Sequence, residues 1–246
     1  MMNHRFLTSL RLLSALMVLF IGSYGDLSCQ NLNDKLMNRP YADLRRWHLG
    51  FSVGIHTQDF TFSHNGFISE NGEQWFVDQP GFQPGFCVNG LIDFRLGTYF
   101  NLRFTPGMYF GNRDITMREY NTGLEHRQNL KSALIVLPFD LKFSSLRYRN
   151  SRPYVTAGIM PTFNVTKQNN DYLRTKTSDF FLTCGFGCDF YLPYFKFNPE
   201  IKFCFGLGDN LVHDRPDIAE EPEKLVITQS LKKAVSRMVV LTFYFE

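Results

Sequence analysis

A chain of 246 residues is long enough for one β-barrel or sandwich domain or for two small domains, and length alone does not decide between them. Phenylalanine occurs 26 times and tyrosine 11 times, and this aromatic content favours β-strands. The net charge of +3 is small and scattered, which argues against a nucleic-acid-binding protein.

The first segment has the composition of a secretory signal peptide. Basic residues within the first eleven positions precede an apolar stretch over residues 12–21, and small residues follow it. This stretch is too short to cross a bilayer as a helix, and the order of its parts is that of a signal sequence. We predict a signal peptide over residues 1–29, with cleavage after Gly25 or before Gln30, and a periplasmic leader over residues 30–46.

Eight later segments alternate apolar with polar residues, and a period of two is the period of a β-strand. In chain order they lie at about residues 48–56, 85–96, 101–110, 133–143, 155–164, 179–192, 195–208 and 235–245. Outside the signal region no apolar stretch is long enough for a transmembrane helix. A closed barrel is the other fold that satisfies its backbone hydrogen bonds in lipid.

Alternation suits two environments. In water the apolar face of each strand points into a core, as in a soluble lipocalin-like carrier. In a bilayer the apolar face meets lipid and the polar face lines the interior. The alternation itself therefore leaves both possibilities open.

The lengths of the connections favour the membrane. Long polar connections are predicted at residues 57–80, 111–130, 166–178 and 209–233, and the connections between them are short. In an up-and-down meander all the long connections fall at one end, as in outer-membrane barrels. We therefore predict an all-β fold, an eight-stranded antiparallel up-and-down transmembrane β-barrel over residues 47–246, in the outer membrane of a Gram-negative cell. Its long loops are predicted to be extracellular and its N-terminus periplasmic.

The same pattern assigns side chains to the two faces of the barrel. The predicted interior charge network comprises Asp93, Arg95, Arg103, Asp140, Lys142, Asp189, Lys196, Glu200 and Lys202. The predicted lipid-facing residues of the last two strands are Phe195, Phe197, Ile201, Phe203, Phe205, Leu207, Leu241, Phe243 and Phe245. Nearly balanced charges suit a narrow interior in which each charge finds a partner. An eight-stranded barrel is about filled by its own side chains, so a general pore is not expected.

Signatures of catalysis or metal binding are missing from the sequence. It contains no nucleophile elbow, no paired zinc histidines and no phosphate loop. We therefore predict no catalytic, cofactor-binding or metal-binding residues and no small-molecule substrate. Some outer-membrane barrels are lipid A-modifying enzymes with a serine and a histidine near the rim. The candidates for that alternative are Ser52 with His56, or Ser63 with His64.

Four segments resemble the PorT family of outer-membrane barrels, part of the type IX secretion system of Bacteroidetes. They are W-H-L-G-F-S-V-G-I-H from Trp47, V-L-P-F-D-L-K-F from Val136, P-Y-V-T-A-G-I-M-P-T-F-N-V from Pro153, and F-x-x-E-I-K-F-x-F-G-L from Phe197. One departure is that Glu246 follows the terminal aromatic residue.

The resemblance implies a non-enzymatic role in the export of proteins that carry a C-terminal sorting domain, such as secreted proteases and adhesins. The implied partners are outer-membrane lipid and other components of the secretion system, and neither a cofactor nor nucleic acid is expected. The predicted contact surfaces are the outer loops at residues 58–82, 112–129 and 209–232. A second candidate is the basic periplasmic turn with Arg147, Arg149 and Arg152.

Overall fold

A computed structural model describes residues 37–67, 74–78, 83–120, 122–166, 173–212, 226 and 230–246. The predicted signal peptide and the first part of the predicted leader, up to residue 36, lie outside the described residues. The described elements are a short 3-10 helix, Ala42–Leu44, and eleven β-strands. The strands are β1 (Trp47–His64), β2 (Trp75–Asp78), β3 (Pro84–Arg95), β4 (Phe100–Phe104), β5 (Gly107–Glu119), β6 (Glu125–Val136), β7 (Phe139–Ser144), β8 (Ser151–Asn164), β9 (Ser178–Tyr191), β10 (Lys196–Gly206) and β11 (Leu231–Phe245).

The antiparallel strand pairings form a closed ring. Starting from β1, pairing continues through β11, β10, β9 and β8. β8 pairs with both β6 and β7. In turn, β6 pairs with β5, and β7 pairs with β4. Both β4 and β5 pair with β3, and β3 pairs with β1, where the ring began.

Two interruptions and one additional short strand explain why eleven strands are present in a ring of eight positions. β4 and β5 are one strand interrupted before Gly107 at Pro106, and β6 and β7 are one strand interrupted at Pro138. Proline has no backbone N–H to donate to the ladder, so pairing stops there. Burial keeps alternating across both interruptions, so the same face stays inward. β2 is an additional short strand that pairs with β5. The predicted eight-stranded all-β fold is confirmed.

Three predicted loops are wrong in part, because four strands run further than predicted; among them, β11 already begins at Leu231. β1 continues to His64, and residues 112–129 form a β-hairpin with its turn between Glu119 and Glu125. Residues 75–78, within the loop predicted after the first strand, form β2. In these extensions polar side chains face outward, while Ile115, Met117 and Leu130 are buried. The alternation is still present there, but its outward face is built for water rather than lipid.

The outward face of the ring is apolar and its interior is polar. Leu49 and Phe51 are 70% and 57% exposed, whereas the neighbouring inward Ser52 is fully buried. The nine predicted lipid-facing residues lie on this outer face, where several pack against one another, as in the stacked pair Phe197 and Phe243. A soluble carrier would have the opposite arrangement, so the structure contradicts that alternative.

No helix in the ranges given above is both long and apolar enough to cross a membrane.

The close approach of neighbouring strands at Gly158 leads to a stability prediction. A Cβ atom on Gly158 would lie 2.1 Å from the carbonyl oxygen of Phe139, whereas on Gly90 the nearest atom is 3.8 Å away. Gly158→Ala should lower the free energy of unfolding by about 1–3 kcal/mol, because the backbone must shift to admit the methyl group. Gly90→Ala, the control, should change it little. Urea unfolding in detergent micelles measures both variants, and equal effects would contradict this explanation.

Candidate functional site

A buried network of charges fills the end of the barrel that carries the short turns, and Arg103 of β4 is its centre. The Arg103 side chain is fully buried, and its guanidinium contacts Asp93 at 3.2 Å and Glu200 at 2.9 Å. The guanidinium carbon also lies 5.1 Å and 4.8 Å from the ring centres of Tyr154 and Tyr244. Side chains from β3, β4, β8, β10 and β11 therefore meet around one cation.

The remaining charges pair in the same region. Lys142 of β7 contacts Asp189 of β9 at 2.8 Å, and Lys196 of β10 contacts the same carboxylate at 3.3 Å. Lys202 contacts Asp140 at 2.5 Å. In a medium of low dielectric constant an unpaired charge is costly, so these pairs compensate the loss of hydration.

The structure brings together eight of the nine residues that the sequence analysis assigned to the interior network. They are Asp93, Arg103, Asp140, Lys142, Asp189, Lys196, Glu200 and Lys202. Arg95 lies elsewhere. It is the last residue of β3, only partly buried, and its Nε donates to the carbonyl oxygen of Gly97 at 3.0 Å. The adjacent turn thus supplies an acceptor at the rim, and the side chain does not reach inward.

Sequence reasoning missed Glu246 as a member of this network. Glu246 lies just beyond β11 and accepts hydrogen bonds from Lys196 Nζ and Asn198 Nδ2, both at 2.7 Å. The charge of the Glu246 carboxylate is therefore compensated inside the barrel by the ammonium group of Lys196. The sequence did contain a signal for this position. Every second residue of a strand lies on the same face, so Glu246 shares the inward face of Tyr244.

Further along the barrel, apolar and polar side chains close the lumen. An apolar layer comprises Cys87, Tyr109, Leu134, Val136, Met160, Phe181, Cys204, Met238 and Val240. Above it Arg113 donates to Gln58 and to Ser132, and its guanidinium lies 5.0 Å from the ring centre of Phe60. The cavity beside Arg113 has a volume of about 20 Å³, enough for roughly one water molecule. These layers block passage of a solute through the barrel.

The mouth at the short-turn end is covered by the segment that precedes β1. Asp43 accepts a hydrogen bond from the Tyr191 hydroxyl and lies 3.5 Å from Arg152 and 3.8 Å from Arg147. Arg147 also donates to the backbone carbonyl of Asn38. Two of the three arginines of the predicted basic contact turn therefore point into their own chain rather than away from it.

Neither predicted serine–histidine pair is assembled. Ser52 and His56 are both buried inside the barrel, four residues apart on one strand and so separated by roughly 13 Å. Ser52 accepts a hydrogen bond from Asn89, and His56 stacks on Tyr109. At the other candidate position, His64 Nε2 accepts the backbone N–H of Val77 instead of contacting Ser63.

At the opposite end the extended strands project from the ring. We call this part the head; it comprises residues 58–64, Trp75–Asp78, 112–120, 122–131, Leu173, Leu211 and 231–235. The head has its own apolar core of Trp75, Val77, Ile115, Met117, Leu130, Leu173, Leu211, Leu231 and Ala234. Its surface exposes Phe76, Tyr120 and Leu124 at 40%, 72% and 56%, and the Phe76 and Tyr120 rings lie 6.1 Å apart.

Clusters of potential metal ligands are not found in the part of the chain that the structure describes. The cysteines in that part, Cys87, Cys184, Cys188 and Cys204, are all free. Within the described ranges the site is therefore a set of buried ion pairs, a closed lumen and two different ends.

The antiparallel barrel, with a polar interior and an apolar outer face, defines an outer-membrane β-barrel protein. A family model described as "Outer membrane protein beta-barrel domain" matches residues 30–212, and the chain belongs to this family. None of the curated proteins matches the sequence.

Several solved structures are similar. OprG, an outer membrane protein from Pseudomonas aeruginosa, shares 12% identity at a TM-score of 0.44, over 80% of this chain and 91% of that chain. The N-terminal β-barrel domain of OprF from the same organism shares 13% identity at a TM-score of 0.36, over 79% and 97%. Ail, the attachment invasion locus protein of Yersinia pestis, solved with the heparin analogue sucrose octasulfate, shares 11% at 0.34, over 82% and 99%.

The central cation leads to a second stability prediction. Arg103→Met should destabilise the barrel by about 3–5 kcal/mol, because Asp93 and Glu200 would remain buried without their partner. Arg118→Met removes an arginine of similar size from an exposed pair with Glu125 and should have little effect. The measurement is urea unfolding in detergent micelles, followed by the mobility difference between folded and unfolded barrel on gels. A loss no larger for Arg103→Met than for the control would contradict a structural role for the network.

Proposed function

We propose that this chain is a non-enzymatic component of the type IX secretion system, needed for the export of proteins with a C-terminal sorting domain. The sequence resemblance to the PorT family supports this assignment. The observation that carries the non-conducting role is the closed lumen, which leaves no path for a cargo protein. The protein then acts through its surfaces, and the cargo crosses elsewhere.

The proposed orientation puts the head outside the cell and the short turns in the periplasm. The predicted signal peptide would deliver the N-terminus to the periplasm, and the segment before β1 packs against the short-turn end. Outer-membrane barrels generally have short periplasmic turns and longer outer connections. Residues 37–46 would then cover the periplasmic mouth.

The head is the proposed contact surface for other secretion components. Phe76 on β2 and Tyr120 and Leu124, which lie between β5 and β6, are exposed above the apolar core of the head. Exposed aromatic residues are enriched in protein interfaces, where they bury a large area at little cost in conformational entropy. The basic turn is the weaker candidate, because Arg147 and Arg152 contact Asp43.

The test of the function is deletion of the gene in its native host. Proteases with the sorting domain should then accumulate unprocessed in the periplasm, while other outer-membrane proteins reach normal levels. Expression of the wild-type chain from a plasmid should restore secretion. Normal delivery of the proteases to the cell surface in the deletion strain would refute the proposed role and leave the barrel without an assigned one.

The test of the contact surface replaces exposed aromatic residues on the head. Phe76→Ser with Tyr120→Ser should abolish or strongly reduce protease secretion, since the proposed interface loses its apolar centre. The control is Tyr194→Ser, because Tyr194 is 92% exposed in a short turn at the opposite end. Complementation of the deletion strain, with barrel level checked on gels, provides the measurement. Full secretion with the double variant would show that partners bind elsewhere.

A further inference from the structure

The outer wall of the barrel changes from apolar to polar within one row of residues at the head end. Ile55, Phe86, Phe110 and Ala133 lie directly opposite one another on β1, β3, β5 and β6. Two residues further toward the head, the outward positions on the same strands are Thr57, Pro84, Asn112 and Lys131. Successive outward positions on one strand are about 7 Å apart. The apolar wall therefore ends within one such step of Lys131.

Two open grooves cross the wall at this level. One, of about 470 Å³, is lined by the stacked rings of Phe86 and Phe110, by Ala133, and at its polar end by Asn112, Lys131 and Thr166. The other, of about 330 Å³, lies against the opposite side of Pro84 and is lined by Ile55, Thr57, Val239 and Leu241. The first groove forms because Ala133 is much smaller than the phenylalanine beside it. A positively charged residue lines only the first of these two grooves.

Lys131 is exposed and, among the described residues, has no carboxylate within ion-pair distance. The acidic residue on the facing strand is Asp114, and its carboxylate already accepts hydrogen bonds from Gln83 at 3.1 Å and Asn129 at 2.5 Å. An ammonium group without an anionic partner therefore stands at the upper end of an apolar groove, at the level where the wall leaves the hydrocarbon.

We propose that this groove binds one acyl chain of lipid A, the phosphorylated glycolipid of the outer leaflet, with a phosphate on the Lys131 ammonium group. In a bilayer one apolar chain has no hydrophobic preference over another, so retention of a particular lipid requires shape and charge. The groove supplies the shape, and Lys131 supplies a charge-assisted hydrogen bond to phosphate. The inference rests on the proposed orientation, which places the head end at the outer leaflet.

The test is native mass spectrometry of the purified barrel in detergent, with bisphosphorylated lipid A, dephosphorylated lipid A or phosphatidylglycerol added. The wild-type chain should retain one bisphosphorylated lipid A, and the other two lipids should bind at least tenfold less. Lys131→Glu should reduce retention at least tenfold. Its control is Lys233→Glu, the same change of charge on the head, opposite Ser63 and away from the groove. Ala133→Phe, which fills the groove without altering charge, should reduce retention as well.

Equal losses with Lys131→Glu and Lys233→Glu would overturn the proposal, because they would indicate general electrostatic attraction. Retention unaffected by Ala133→Phe would also overturn it, and so would equal binding of phosphatidylglycerol. Since the protein is in detergent, the result does not depend on its orientation or on secretion. The secretion role can therefore be refuted while lipid binding is confirmed, and lipid binding can be refuted while the secretion role is confirmed.

Discussion

The burial of Arg103 is the constraint on which the rest of the barrel depends. A guanidinium placed in a medium of low dielectric constant requires compensating charge, and Asp93 and Glu200 provide it from two other strands. Each carboxylate is in turn held by further donors, such as Asn101 at 2.5 Å from Asp93. Strands distant in sequence are thus held in one register, because a shift by a single residue would turn these charges toward lipid.

The filled lumen moves function from the interior to the surfaces. Ion pairs at one end, an apolar layer in the middle and the core of the head at the other end occupy the space that a pore would need. The two ends then differ in what they offer to partners. At the short-turn end Asp43 contacts Arg147 and Arg152, whereas the head exposes aromatic side chains and, at its base, Lys131.

The prolines interrupt the strand pairing without breaking the ring, and one of them, Pro84, lies where the head begins. Pro106 and Pro138 interrupt the ladder on neighbouring strands, and β8 pairs with the segments on both sides of Pro138. Pro84, where β3 begins, ends the pairing of β1 with β3 at Thr57. Beyond that level β1 and β5 continue without β3 between them, and β2 pairs with β5 there instead. The grooves beside Pro84 lie at this same level.

The sequence by itself determined the strands and their two faces, because a period of two is a local property of the backbone. It did not determine which connections are loops. The hairpin of β5 and β6 keeps the period of two, but its outward residues are polar, so it does not show the apolar face of a membrane strand. Nor could the sequence separate Arg95, which bonds to its own turn, from Arg103, or include Glu246 with the charges. Those choices belong to the tertiary structure, because the partner of a buried charge is set by the register of neighbouring strands and not by spacing along one strand.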